Sequence, residues 1–176
     1  MKRLTFLLIL TLAACLCGVP RGFAAAKYKQ YTDARQKFSI KYPPGYTVKN
    51  VGGAVVFSSP LSGKRDIFAE SLNIVVVGVA DYPGTMQSFY LRSKKRLLET
   101  MPQMRITDEG LDTVAGRPAF RLNYTALQNG TMFEFKQSMV GYHGLVYVLT
   151  YTALPESYEE YLPVINEMTA SLSFID

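Results

Sequence analysis

The chain has 176 residues, 48% hydrophobic and 19% charged, with two cysteines, one histidine and a formal net charge of +5. That composition excludes a disordered polymer and a disulfide-stapled miniprotein, and the length bounds the fold at about one domain. The positive excess sits at the start: without Lys2, Arg3 and Arg21, 16 basic residues face 14 acidic ones, which excludes the strongly basic footprint that nucleic-acid binding requires.

In chain order, Met1-Lys2-Arg3 is a basic start, Leu4 to Val19 an apolar run, and Pro20 to Ala26 a turn-prone stretch ending in small residues. Residues 1–26 therefore read as a secretory signal. Thr5, Thr11 and Gly18 interrupt the run, which falls short of the about 20 apolar residues of a membrane span. Two processing routes fit. Ala24-Ala25-Ala26 suits a general signal peptidase and yields a soluble periplasmic domain, the favoured route. Leu12-Ala13-Ala14-Cys15 resembles a bacterial lipobox, which would make Cys15 a lipidated first residue and the sole attachment to a membrane. Cys15 and Cys17 are the two cysteines, so residues 27–176 must fold without a disulfide.

Residues 27–36 are polar and read as a loose lead-in to a domain over 37–176. Phe38, Ile40 and Tyr42 alternate with Ser39 and Lys41, the period of a half-buried strand, and Pro43-Pro44-Gly45 ends it. After the Gly52-Gly53 turn, Ala54 to Ser59 reads as a second strand, and 60–70 as a long loop. Leu72 to Ala80 is apolar on both faces, so the sheet that holds it is expected to carry helices above and below. From Thr85 to Met101 the period becomes helical: Met86, Phe89, Tyr90, Ser93 and Leu97 form one stripe, with cations toward the C-terminal end, and Pro102 stops it. Strands are expected over 104–113, 117–127, 131–142 and 145–154, with Asn129-Gly130 a type I′ hairpin turn. Tyr158, Tyr161, Leu162, Ile165, Met168 and Leu172 form a last helical stripe, whose regular part is expected to start near Pro163 or to kink there.

The residues that could carry chemistry are few. His143, beside Gly144 in a turn, has no cysteine or second histidine to complete a zinc site and no neighbour suggesting a triad. Asp108, Glu109 and Asp112 are three carboxylates that could hold a hard cation, although they lack the spacing of an EF-hand loop. Arg92, Lys94, Lys95 and Arg96 are the densest positive cluster, a solvated helix face or a contact surface for an acidic partner or anionic headgroups. Among twelve tyrosines, several crowd the C-terminal half, where they serve either the core or an interface. No cofactor motif is present.

Phe38-Ser39-Ile40-Lys41-Tyr42-Pro43-Pro44-Gly45-Tyr46, Val56-Phe57-Ser58-Ser59-Pro60, Leu72-Asn73-Ile74-Val75-Val76, Gly116-Arg117-Pro118-Ala119-Phe120 and Tyr147-Val148-Leu149-Thr150-Tyr151 resemble the PsbP-like family and its bacterial DcrB-type relatives. The resemblance spans roughly Gln36 to Phe174; Ser171-Leu172-Ser173-Phe174 looks like the family's terminal helix ending, and Tyr46 stands where a tryptophan commonly ends the first motif. It implies an α+β fold: a single antiparallel sheet with helices packed on both faces. It also implies a non-catalytic accessory, assembly or binding module outside the cytoplasm. With the export signal, the expected partner is another envelope protein, and the near-balanced charge argues against nucleic acid. The rival expectation is a small periplasmic ligand-binding protein or hydrolase with a polar pocket.

Overall fold

The computed structural model describes residues 27–63, 66–79 and 84–176. The expected signal over 1–26, with Cys15, lies outside the described residues.

Strand β9 (Leu145–Ala153) sets the architecture. Its side chains alternate between two apolar surfaces: Tyr147, Leu149, Tyr151 and Ala153 enter one core, Val146 and Val148 the other. β9 lies inside a seven-stranded antiparallel sheet of order β3-β4-β5-β9-β8-β7-β6. The other members are β3 (Thr47–Val51), β4 (Ala54–Ser58), β5 (Ser71–Gly78), β6 (Arg105–Val114), β7 (Arg117–Gln128) and β8 (Thr131–Tyr142). Three hairpins join the long strands in sequence. Asn129 (φ 51°) and Gly130 (φ 82°) form the expected type I′ turn, and His143-Gly144 takes the same left-handed pair.

One face of this sheet is covered by helix α1 (Met86–Thr100), which lays Met86, Phe89, Tyr90 and Leu97 on Leu122, Tyr124, Phe135 and Met139. Thr85 caps the helix by accepting from the Ser88 amide at 3.2 Å, a contact worth about 1 kcal/mol. Its last turn carries no basic residue, so the cations sit mid-helix rather than at the C-terminal end. The other face is covered by helix α2 (Tyr158–Ala170) and by a second, three-stranded sheet of order β1-β2-β10.

That second sheet corrects the expectation of one sheet between helices, while the α+β antiparallel class stands. It is made of β1 (Lys29–Asp33), β2 (Phe38–Tyr42) and β10 (Ser173–Phe174). β1 occupies the span read as a loose lead-in, because Tyr31 carries apolar area that a polar reading of the stretch overlooks. Its ring lies 5.7 Å from Phe57 and 6.0 Å from Phe38. β10 likewise replaces the expected helical ending, pairing Ser173 with Ser39 and Phe174 with Phe38. β3 had no expected counterpart, since only Val48 of its five residues is drawn inward. α2 begins five residues before Pro163: its first bond, Tyr161 N–H to Ser157 O, precedes the proline, and buried Tyr158 fixes the start. β5 is covered less fully than its sequence implies. Leu72 and Ile74 are buried on the α2 side, but Val75 remains 36% exposed because the core under α1 lies mainly on β7 and β8.

Phe57 is fully buried between Tyr31 and Tyr42, whereas Val51 on the outer strand is 59% exposed. Phe57→Ala is expected to cost about 3–5 kcal/mol in urea unfolding and Val51→Ala no more than about 0.5 kcal/mol. Equal losses at the two positions would contradict this core.

Candidate functional site

Helix α1 divides the four expected cations. Lys94 turns inward along the sheet edge, its ammonium 2.8 Å from Glu109 Oε2, which also accepts from the Tyr90 hydroxyl at 2.6 Å. Arg92, Lys95 and Arg96 are exposed, and Lys95 makes a long 3.8 Å pair with Glu99 one turn on. Leu91 (49% exposed) and Leu98 (43% exposed) share the outer face with Lys95 at i, i+4 and i+7. The helix thus has a second, outward stripe of apolar and cationic side chains, opposite the one that covers the sheet.

The three carboxylates of β6 do not converge. Asp108 and Asp112 point to the α2 side of the sheet: Asp108 meets the Arg121 guanidinium at 2.6 Å, and Asp112 accepts from the Thr113 amide at 2.7 Å and from Ser138 Oγ at 3.4 Å. Glu109, between them in sequence, points to the α1 side, as strand alternation requires. Among the described residues no group of three or more His, Cys, Asp or Glu is placed to hold a metal ion.

His143 is exposed at the β8–β9 turn, 3.8 Å from Asp176. Its ring stacks 4.0 Å from that of Tyr142, whose other neighbours are Phe174 at 4.5 Å and the Arg117 guanidinium at 5.1 Å. The Tyr142 hydroxyl donates to Asp176 at 2.6 Å, so the cluster fastens the C-terminal strand to the hairpin. A hollow of about 240 Å³ beside it runs to the start of α1.

A second feature escaped the sequence reading. Where loop 60–70 meets the start of α2, a cleft of about 410 Å³ is lined by Asp66, Glu70, Glu156, Glu160, Tyr161 and Ile67, among others. Glu70 is only 2% exposed, and its carboxylate accepts from Ser157 Oγ at 2.6 Å and Ser59 Oγ at 3.0 Å. The Ser157 hydroxyl thus ties the helix start to the loop instead of capping the helix itself. The available clue was a glutamate directly preceding the most apolar strand, a place where a buried carboxylate needs hydroxyl donors from elsewhere in the chain.

Burial pushes the Tyr124 hydroxyl up to about 12, and burial with Glu167 does the same for Tyr28. Glu109 moves the other way: the Lys94 hydrogen bond first, then that of Tyr90, holds its carboxyl below the usual range. A depressed carboxyl contributes stability above its unfolded value and loses it as pH falls through the folded one. Lys94→Gln should therefore raise the Glu109 midpoint in a carboxyl-detected NMR titration. A midpoint that stays put would show that the ion pair does not act on Glu109 in solution.

Among the described residues no helix is long and apolar enough to cross a membrane. No curated protein matches the chain. Solved structures do. Cyanobacterial PsbP from Synechocystis is 17% identical, over 90% of this chain and 98% of that one, with a TM-score of 0.64. PA94 of Pseudomonas aeruginosa, a protein of unknown function, is 15% identical over 83% and 96%, with a TM-score of 0.62. LpqN of Mycobacterium tuberculosis, described as involved in cell envelope biogenesis, is 12% identical over 87% and 88%, with a TM-score of 0.60. At such identities the likeness is one of fold. The PsbP family model itself matches residues 26–174, and the chain belongs to the PsbP family.

Proposed function

We propose that this protein is an exported, non-catalytic accessory or assembly module that works by contacting another protein of the cell envelope. The observation that carries the reading is the outer stripe of α1, where Leu91 and Leu98 flank Lys95, with exposed Arg92 one turn from Lys95 and exposed Arg96 on the adjoining flank. A helix whose inner face already covers a sheet has no folding need for apolar side chains on its outer face. Mixed with cations, such a stripe fits an acidic protein surface carrying an apolar centre. Family membership and the involvement of LpqN in cell envelope biogenesis support the same direction.

The test is in-cell crosslinking followed by affinity recovery and mass spectrometry, comparing wild type with a Leu98→Ser/Lys95→Glu double variant. Both positions are exposed, so the melting temperature is expected to stay within a few degrees while recovery of the partner falls at least about tenfold. Identical recovery from both chains would sink the stripe as the contact surface.

Export is proposed to proceed by cleavage near Ala24-Ala25-Ala26, releasing a soluble domain into the periplasm. Intact mass measured on membrane and soluble fractions is expected to show a chain starting near Ala25 or Lys27. A diacylated chain starting at Cys15 would overturn the cleavage site and make the protein membrane-tethered.

A further inference from the structure

Strand β6 is the outer strand of the seven-stranded sheet, and one of its sides pairs with β7 while the other faces no described strand. Exposed edges invite pairing, and proteins guard them with bulges and outward charges. On β6 those guards are weak. The register shift lies between Ile106 and Asp108, leaving Asp108–Val114 regularly paired with β7. The charges of Asp108 and Glu109 are engaged within the fold by Arg121 and Lys94. At the middle of the regular stretch stands Leu111, a large apolar side chain 73% exposed.

We infer that β6 is the seam of a homodimer, in which Asp108–Val114 pairs antiparallel with the same segment of a second copy about a two-fold axis at Leu111. The register follows from the charge pattern. Residues opposite each other across an antiparallel seam point to the same face, so a symmetric pairing must be centred on one residue. Centring on Asp108, Glu109 or Asp112 sets a carboxylate against its own copy. Centring on Gly110 sets Asp108 against Asp112 twice. Like charges directly opposed destabilise a strand pair. Centring on Thr113 leaves only three residues paired before the Ala115-Gly116 turn. Centring on Leu111 sets Leu111 against Leu111, Gly110 against Asp112, Glu109 against Thr113 and Asp108 against Val114, with no carboxylate facing another. Leu111 lies on the α1 side: its partner on β7 is Phe120, which stacks 4.9 Å from Tyr90. The pairing therefore joins the two seven-stranded sheets and covers the exposed leucines with each other.

The test uses the full chain carrying Cys15→Ser and Cys17→Ser, so that an introduced thiol is the only one present. Sedimentation over a concentration series is expected to show a monomer–dimer equilibrium, and Leu111→Lys to raise its dissociation constant at least about tenfold. Facing residues of an antiparallel pair have Cα atoms about 4.5–5.5 Å apart, within disulfide reach. Leu111→Cys is therefore expected to crosslink to its own copy on mild oxidation. Glu109→Cys and Thr113→Cys should each stay uncrosslinked alone and crosslink when mixed. A chain that sediments as a monomer throughout overturns the inference, whether or not the edge then accepts a strand of another protein. So does a dimer that Leu111→Lys leaves intact, or crosslinking that is equal at all three positions.

Discussion

Strand β9 is the constraint from which the rest of the molecule follows. It is apolar on both sides, so neither face of the seven-stranded sheet can be left to water, and two different covers have been fitted to it. On one side a single helix suffices, because the strands beneath α1 supply large flat residues such as Phe120, stacked on Tyr90, and the Tyr124–Phe135 pair. On the other side α2 is shared with a small sheet. Tyr147 joins that sheet to β9 twice over: its ring meets Phe38 edge-on at 6.2 Å, and its hydroxyl donates to the carbonyls of Gln36 and Lys37. The Lys37 carbonyl also accepts from the Ile175 amide, so one turn gathers β9, β2 and the chain's end.

That arrangement explains how residues 27–176 cohere without a cysteine. Aromatic side chains bury large areas each and take the place that disulfides hold in many exported domains. Tyrosine is suited to this because its hydroxyl can reach a carbonyl at the rim of the core, as Tyr151 does with Tyr158 and Tyr147 with Lys37. The crowding of tyrosines in the C-terminal half is therefore chiefly a packing feature: Tyr147, Tyr151 and Tyr158 are all buried. Tyr142 and Tyr161 stay half-buried and contribute to surface features instead.

The long strands, α1 and the Asn129-Gly130 turn were legible in the sequence because each rests on local information: alternation, a helical apolar stripe stopped by a proline, a left-handed dipeptide. Of the small sheet only β2 was, from the alternation of Phe38, Ile40 and Tyr42, because its two neighbours form only with partners far away. Lys29–Asp33 is polar by composition and becomes a strand only when Tyr31 meets Phe57 across the fold. Ser173-Phe174 is too short to announce itself and is defined by its pairing with β2. Pro163 misled for a related reason. A proline removes one helical bond, but Tyr158 docking on Tyr151 is a tertiary contact that holds the turn ahead of it. The surface features divide in the same way. The α1 cations were visible as a run, whereas the cleft around Glu70 brings together residues 87 positions apart.

Charge in this protein acts locally or hardly at all. Beyond residue 26 the 16 basic and 14 acidic residues nearly balance, so the molecule has little net field with which to steer a partner from a distance. Several charges are also engaged within the fold: Lys94 with Glu109, Arg121 with Asp108, and half-buried Lys136 with the neutral side chain of Asn166. A contact surface is then best sought where charges lie beside apolar side chains, because there desolvation and attraction favour the same contact. The outer stripe of α1 is such a place. The edge of β6 is its counterpart, a surface where internal ion pairs have quieted the charges and left the backbone and one leucine to speak. Both lie at the margin of a core already closed from either side, so they are free to serve association without any rearrangement of the fold.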